Sequence, residues 1–310
     1  MESYVVGVDM GGTMIKVASF DPAGRMLAQL STPTGDGERM GDHPAWAVRV
    51  KKLVAEMETH AGGPASGIGM TCPGMAARDK RHIVSLPNRL HGLEGFDWTE
   101  WLGRKTPVPV LNDAHAALLG EAWQGAASGM EDVVMLTLGT GVGGAILSGG
   151  RLVRGHLGRA GEFGHTTVDY RGEPGNAGMR GDLESFIGNA TLRRRSGDRF
   201  ASTKALVQAH LAGDAEASRI WLDSIEALGC GIASLINAVD PEAVILGGGI
   251  AEAREALWVP LEAVLDRVEW RPRGQRVRIL RAKLGDWAGT YGAAWEALHG
   301  DLAQMGKIRS

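Results

Sequence analysis

Val5-Val6-Gly7-Val8-Asp9-Met10-Gly11-Gly12-Thr13-Met14-Ile15-Lys16-Val17-Ala18-Ser19-Phe20 is the stretch whose reading decides the fold. The segment from Tyr4 to Asp9 is short, apolar and rich in valine, and it stops at Gly11-Gly12. Met14 to Phe20 follows at once as a second strand, Asp21-Pro22-Ala23-Gly24 makes a turn, and Met26 to Leu30 reads as a third strand. A nucleotide fold of the P-loop or Rossmann kind needs a helix directly after its glycine loop, and here a strand stands in that place.

The same plan returns in the middle of the chain. Val133 to Leu138 is a strand, Gly139-Thr140-Gly141-Val142-Gly143-Gly144 a loop, and Ala145-Ile146-Leu147 the next strand. Ser148-Gly149-Gly150 then turns the chain into Arg151-Leu152-Val153. Two such units suggest a duplicated α/β architecture with a central cleft between its halves. Two unrelated hairpins are the plainer alternative, since glycine serves any tight turn. Helical spacing of apolar residues marks Ala45 to Thr59 and Ala114 to Trp123. Ala215 to Val239 is a long helix candidate that ends before Asp240-Pro241, and Tyr291 to Leu298 ends at Gly300. Between them Ala243-Val244-Ile245-Leu246 reads as a buried strand running into Gly247-Gly248-Gly249.

The length of 310 residues suggests two domains at about 100–200 residues each. The expected division is a small domain of residues 1–113 plus about 290–310 and a large one of residues 114–289. Lys and Arg number 33 against 36 Asp and Glu, so no broad basic field awaits nucleic acid. No apolar run approaches the roughly 20 residues that span a bilayer, and the start of the chain lacks a basic, then apolar, signal pattern. Cys72 and Cys230, the two cysteines, make neither a disulfide framework nor a four-thiolate metal site. A reducing cytoplasm is the expected location. Both thiols are expected to be buried and unreactive, and Arg193-Arg194-Arg195 is expected to be a solvated helix face.

Asp9-Met10-Gly11-Gly12-Thr13 offers backbone N–H groups in a bare loop, with a hydroxyl at Thr13 and a carboxylate at Asp9. Phosphate oxygens accept from such donors, and missing side chains let them come close. Asp9 can hold the magnesium that phosphates bring, usually through water. Lys16 on the following strand either adds positive charge there or serves a salt bridge. Gly139-Thr140-Gly141-Val142-Gly143-Gly144 is a second phosphate-loop candidate. The third open loop, Gly247-Gly248-Gly249-Ile250, would let adenine and ribose lie against the backbone. Leu111-Asn112-Asp113-Ala114 stands where a strand, Val108-Pro109-Val110-Leu111, gives way to a helix. That place can present a carboxylate, although capping the helix is the commoner work of Asn or Asp there.

In combination these loops resemble the two phosphate segments and the adenosine segment of the actin–hexokinase superfamily, whose fold is actin-like (ribonuclease H-like). The residues between them are similar to its ROK branch of repressors and sugar kinases, from Val6 to about Trp295. The resemblance implies an ATP- and Mg2+-dependent hexose kinase, a homodimer or homotetramer, with glucose as the expected sugar. It implies that Asp9, Gly11, Gly12, Thr13, Lys16, Gly139, Thr140, Gly141, Gly143, Gly247, Gly248 and Gly249 hold nucleotide. Asn112-Asp113 resembles the family's N-D pair, in which the aspartate is the catalytic base and the asparagine holds sugar. Glu162-Phe163-Gly164-His165 is similar to the E-x-G-H signature, whose glutamate and histidine bind sugar hydroxyls. Glu184, Gly74 and Asn88 fall at the remaining sugar positions. Many relatives follow E-x-G-H with three zinc-binding cysteines; here Gly175, Ala177 and Asp182 stand in their places, so no structural zinc is expected. His165 is then expected to be oriented by hydrogen bonds instead. Three other readings remain: a kinase for another hexose or an amino sugar such as N-acetylmannosamine, N-acetylglucosamine, allose or fructose, an inactive sugar sensor, and a DNA-binding repressor. The repressors of the family carry a helix-turn-helix before the first loop, and only eight residues precede Asp9.

Overall fold

The computed structural model describes residues 3–300, and its contacts divide the chain into two units. Of the described residues, one unit takes those up to Glu131, then Gly149–Ala160 and those from Lys283 to Gly300; the other takes Asp132–Ser148 and Gly161–Ala282. The first unit thus runs past the expected 1–113 and keeps the helix that follows Asn112. The last residues of the expected small domain, 301–310, lie outside the described residues.

The main strands are β1 (Val5–Met10), β2 (Met14–Phe20), β3 (Met26–Pro33), β4 (Gly67–Cys72), β5 (Val110–Asn112), β6 (Val133–Leu138), β7 (Val142–Ser148), β8 (Ala243–Gly247) and β9 (Arg278–Arg281). The main helices are α1 (Ala45–Ala61), α2 (Asp113–Gln124), α3 (Ala215–Val239), α4 (Glu255–Val268) and α5 (Ala288–His299). In the first unit the sheet order is β3-β2-β1-β4-β5. β1 and β2 are antiparallel, with Asp9 opposite Lys16, whereas β1, β4 and β5 run parallel. In the second unit the order β7-β6-β8-β9 repeats β2-β1-β4-β5, again with one antiparallel pair followed by parallel neighbours. The α/β duplication read from the two hairpins is present.

Several boundaries differ from the sequence reading for local reasons. β5 starts at Val110 rather than Val108, because Pro109 has no N–H to give a ladder; its carbonyl still accepts from Met70 N at 2.8 Å. β7 begins at Val142, inside the glycine run, so Gly143 and Gly144 pair with Thr137 and Leu136 and the open loop shrinks to Gly139-Thr140-Gly141. α5 starts at Ala288, ahead of Tyr291, because its glycine-containing first turn hides the helical pattern.

Each unit has its own apolar core. Val8, Met10, Ile15, Val17, Trp46, Met70 and Trp98 fill the first. In the second, Trp221, Ile225, Leu228 and Ile232 of α3 pack with Leu246 and Leu261. By length and composition α3 could cross a membrane, which corrects the reading that no stretch approaches that length. Its apolar side chains are used in the core instead: 56% of its most apolar window is buried. Asp214 accepts from Ala217 N at 2.9 Å to start the helix, and Asp240 ends it in a left-handed conformation at φ 52.

Two expectations about single side chains need correcting. Arg193 and Arg194 are exposed, but Arg195 turns inward and donates to Ser224 Oγ at 2.8 Å and to Gly188 O at 3.2 Å. Burial draws its pKa down to about 10. Cys72 is buried as expected, whereas Cys230 is only half-buried.

The fully buried Glu121, in the last turn of α2, ties the unit's separate segments together. Its carboxylate accepts from Ala126 N at 2.6 Å, Lys283 N at 2.9 Å and Leu284 N at 2.8 Å. Removing it leaves buried donors unanswered, at about 1–3 kcal/mol for each such group. Glu121→Ala should therefore lower unfolding free energy by at least about 3 kcal/mol in urea titration, and Glu121→Gln, which keeps one acceptor, should lose less.

Candidate active site

In the first unit, parallel strands bring the candidate residues to one edge. β1, β4 and β5 all end there, so the glycine loop after Met10, Gly74 after Cys72 and the Asn112-Asp113 step leave the sheet on the same side. In an open α/β sheet this carboxyl edge is where ligands bind. The loop is closed by Gly11 N donating to Met14 O at 2.9 Å. Thr34 buttresses it from outside, its Oγ1 donating to Gly11 O at 2.6 Å and its N–H to Thr13 O at 2.8 Å. Among the described residues, no hydrogen bond engages the N–H of Gly12 or of Thr13. Those donors suit phosphate oxygens.

Asn112 does the capping work and more. Its Oδ1 accepts from Ala114 N at 2.9 Å and His115 N at 3.2 Å, and its Nδ2 donates to Gly74 O at 3.0 Å. Gly74 needs to be glycine: it sits at φ 97, and a Cβ would stand 2.6 Å from Ser85 O. Asp113, in the first turn of α2, exposes its side chain, yet the desolvation of its surroundings pushes its carboxyl above the ordinary range. The Ala114 N–H and the Arg89 charge pull the other way. Asp9 is half-buried and pushed up to about 7, first by desolvation and then by the neighbouring Asp113 carboxylate. Lys16 donates to the backbone carbonyl of Asp286 at 2.8 Å and lies 3.9 Å from that residue's carboxylate. Asn88 is exposed in a left-handed turn at φ 62.

The second unit carries the remaining candidates on its own sheet edge. β6 and β8 run parallel, so the loops after Leu138 and after Gly247 leave side by side. Gly248 sits at φ 84, and a Cβ there would stand 2.4 Å from Leu138 O. The short helix Leu183–Ile187 and the turn after it hold the first of these loops. Val142 N donates to Glu184 Oε2 at 2.9 Å, Asn189 N to Gly139 O at 3.0 Å, and Ala190 N to Thr140 O at 2.9 Å. A Cβ on Gly141 would stand 2.2 Å from Glu184 Oε2, so that carboxylate lies directly on the loop. Glu162 and His165 share one 3-10 turn, with His165 Nε2 4.0 Å from Glu162 Oε2. Among the described residues, Nδ1 of His165 is buried without a hydrogen-bond partner. At the positions where the resemblance implied zinc ligands, Gly175 lets Asp182 pack close, and Asp182 accepts from Ser185 N at 2.9 Å to start the short helix. Among the described residues, no group of three or more His, Cys, Asp or Glu side chains could hold a metal ion.

The ROK family model matches residues 5–299. A glucokinase of Halalkalibacterium halodurans is 32% identical to this chain, across 95% of it and 94% of that protein. The crystal structure of a ROK hexokinase from Thermus thermophilus matches with a TM-score of 0.83 at 34% identity, covering 96% of this chain and 99% of the other. A ROK family glucokinase from Streptomyces griseus, solved in complex with glucose and AMPPNP, matches with a TM-score of 0.75 at 29% identity, covering 98% of this chain and 100% of the other. Fold and site define an ATP-dependent sugar kinase with the duplicated actin-like (ribonuclease H-like) ATPase fold. The chain belongs to the ROK family.

The first unit gathers Asp9, the Gly11–Thr13 loop, Lys16, Gly74, Asn112 and Asp113 at one sheet edge, and the second gathers Gly139–Gly141, Glu184 and Gly247–Gly249 at another. The sequence reading passed over Thr34, which supports the first loop, and Asp286, which engages Lys16; both come from distant segments and carry no local signal. It also passed over Arg89, although that residue directly follows Asn88.

Magnesium accompanies the nucleotide in this class, and the donor set fits it. Asp9 and Asp113 repel each other, while the nearest ammonium, Lys16, already has a partner. The raised Asp9 pKa gives a pH test without ligand. The folded value of about 7 exceeds the unfolded value near 3.8, so the folded state binds the proton more tightly. Asp9 then lowers stability progressively as pH climbs from about 4 to about 7. Asp9→Asn should lose that decline: its melting temperature should gain on the parent more at pH 8 than at pH 4.

Proposed function

We propose that this kinase transfers the terminal phosphoryl group of ATP to the 6-hydroxyl of a hexose, glucose before other sugars, with Asp113 as general base. The observation that carries this is the raised Asp113 carboxyl at the strand edge that also bears the Asp9–Thr13 loop. A base needs affinity for a proton, and a carboxyl above its usual range has more of it. The hydroxyl oxygen bonds to the terminal phosphorus as the bond to the bridging oxygen breaks. That electron pair stays on ADP, and the hydroxyl proton passes to Asp113. Asp9 would hold the magnesium, which would supply neutralisation of the phosphate charge.

Phosphates are assigned to the Asp9–Thr13 and Gly139–Gly144 loops and adenosine to Gly247–Ile250. Sugar is assigned to Gly74, Asn88, Asn112, Glu162, His165 and Glu184. Glu184 has one oxygen on Val142 N and a second, Oε1, available to a hydroxyl. Glucose is favoured by the glucokinase relatives, one of them a glucose complex. A cytoplasmic homodimer or homotetramer belongs to the same reading, supported by family membership. General-base help is worth roughly 10²–10⁴-fold, so Asp113→Asn should lose about that factor in kcat while keeping its affinity for sugar. Near-normal turnover in that variant would remove Asp113 from the role. An ADP-release assay across glucose, mannose, fructose, allose, N-acetylglucosamine and N-acetylmannosamine should show the highest kcat/KM with glucose.

A further inference from the structure

We propose that Arg89 is a further catalytic residue, whose guanidinium neutralises the phosphoryl group in flight between the Asp9–Thr13 loop and Asp113. The proposal rests on the kinase reading above. Its geometry lies wholly within the first unit. Arg89 lies over Gly12: a Cβ on that glycine would stand 1.6 Å from the nearer guanidinium nitrogen and 2.8 Å from Cζ. The guanidinium therefore occupies the space that a bare glycine leaves above the loop. Its charge also reaches Asp113, where it counters the effect of desolvation on that carboxyl. Among the described residues Arg89 has no hydrogen-bond or ion-pair partner, while Lys16 is engaged by Asp286. The uncommitted cation beside loop and base is thus the arginine.

The chain around Arg89 is held in an uncommon shape. Asn88 and Leu90, on either side, have φ of 62 and 46, a region that L side chains seldom adopt. Leu90 is held by its buried side chain and by its N–H, which donates to Asp36 Oδ1 at 3.0 Å. Strain of this kind persists only where surrounding contacts impose it, and it gathers at functional segments. In phosphoryl transfer, negative charge spreads over the equatorial oxygens, and a planar guanidinium can donate to two of them at once. An arginine so placed is worth about 10³–10⁵-fold in related chemistry.

The test compares Arg89→Ala, Arg89→Lys and Asp113→Asn with the parent enzyme, using ATP and glucose. Arg89→Ala should lose at least about 10²-fold in kcat with the glucose KM within about threefold, and Arg89→Lys should fall between it and the parent. Millimolar guanidinium chloride should restore part of the Arg89→Ala turnover and leave Asp113→Asn unchanged, a readout that a packing role would not produce. Urea midpoints equal to the parent's would show that the exposed substitution leaves the fold intact. The proposal is overturned if Arg89→Ala stays within about threefold of the parent in kcat while Asp113→Asn is inactive. A loss confined to the glucose KM, or one that guanidinium does not relieve, also overturns it. If the parent phosphorylates none of the six sugars, the kinase reading itself fails, and that result is distinct from the others.

Discussion

The first unit depends on a helix laid against bare backbone. A Cβ on Gly7 of β1 would stand 1.9 Å from Thr290 O of α5, and one on Gly69 of β4 would stand 1.9 Å from Ala293 O. No side chain fits between them, so α5 can reach the sheet only where the sheet has none to offer. The same helix meets α2 in this way, since a Cβ on Gly292 would stand 1.8 Å from Ala116 O. β1 and α2 carry Asp9 and Asp113, so one helix fixes the footing of both carboxylates. Its first turn also reaches Asp9 directly: the Cβ position of Gly289 is 2.7 Å from Asp9 Oδ2. The start of a helix carries partial positive charge, which favours a carboxylate there.

That close docking explains the site's electrostatics. Bringing two strand ends and two helices together at backbone distance desolvates Asp9 and Asp113 and sets them against each other. Such an arrangement costs stability when both are ionised. In the kinase reading above, the cation that accompanies the nucleotide would bring the complementary charge, and its phosphates would not. In the second unit the loop Gly139–Gly141 is pinned by hydrogen bonds from and to the segment from Glu184 to Ala190. There, shape is set by direct bonds to the backbone rather than by carboxylate repulsion.

The sequence disclosed the hairpins and their repetition because they are local: valine-rich runs of strand length stopped by glycine pairs, twice over. Strands β2 and β6 and helix α3 stand at the residues read. Asn112 was legible as a cap because capping involves neighbours in the chain. What stayed hidden was set by partners far off. Gly7 reads simply as a strand glycine until a helix nearly three hundred residues later in the chain explains it. Arg195 reads as one of three surface arginines until Ser224 and Gly188 O draw it in. The inward turn of Glu121 toward Lys283 and Leu284 has the same cause.

The first unit is assembled from segments that precede and follow those of the second, and this orders events during its synthesis. β1 and β4 leave the ribosome early, with their glycine-lined face uncovered. The helix that covers it, α5, is made only after the whole second unit. One face of a nascent sheet in that condition stays uncovered, whereas Asp132–Ser148 and Gly161–Ala282 have their core complete beforehand. Long-range closure of this sort slows folding and leaves apolar surface open meanwhile. The unit whose strands are made first is therefore the one that finishes last.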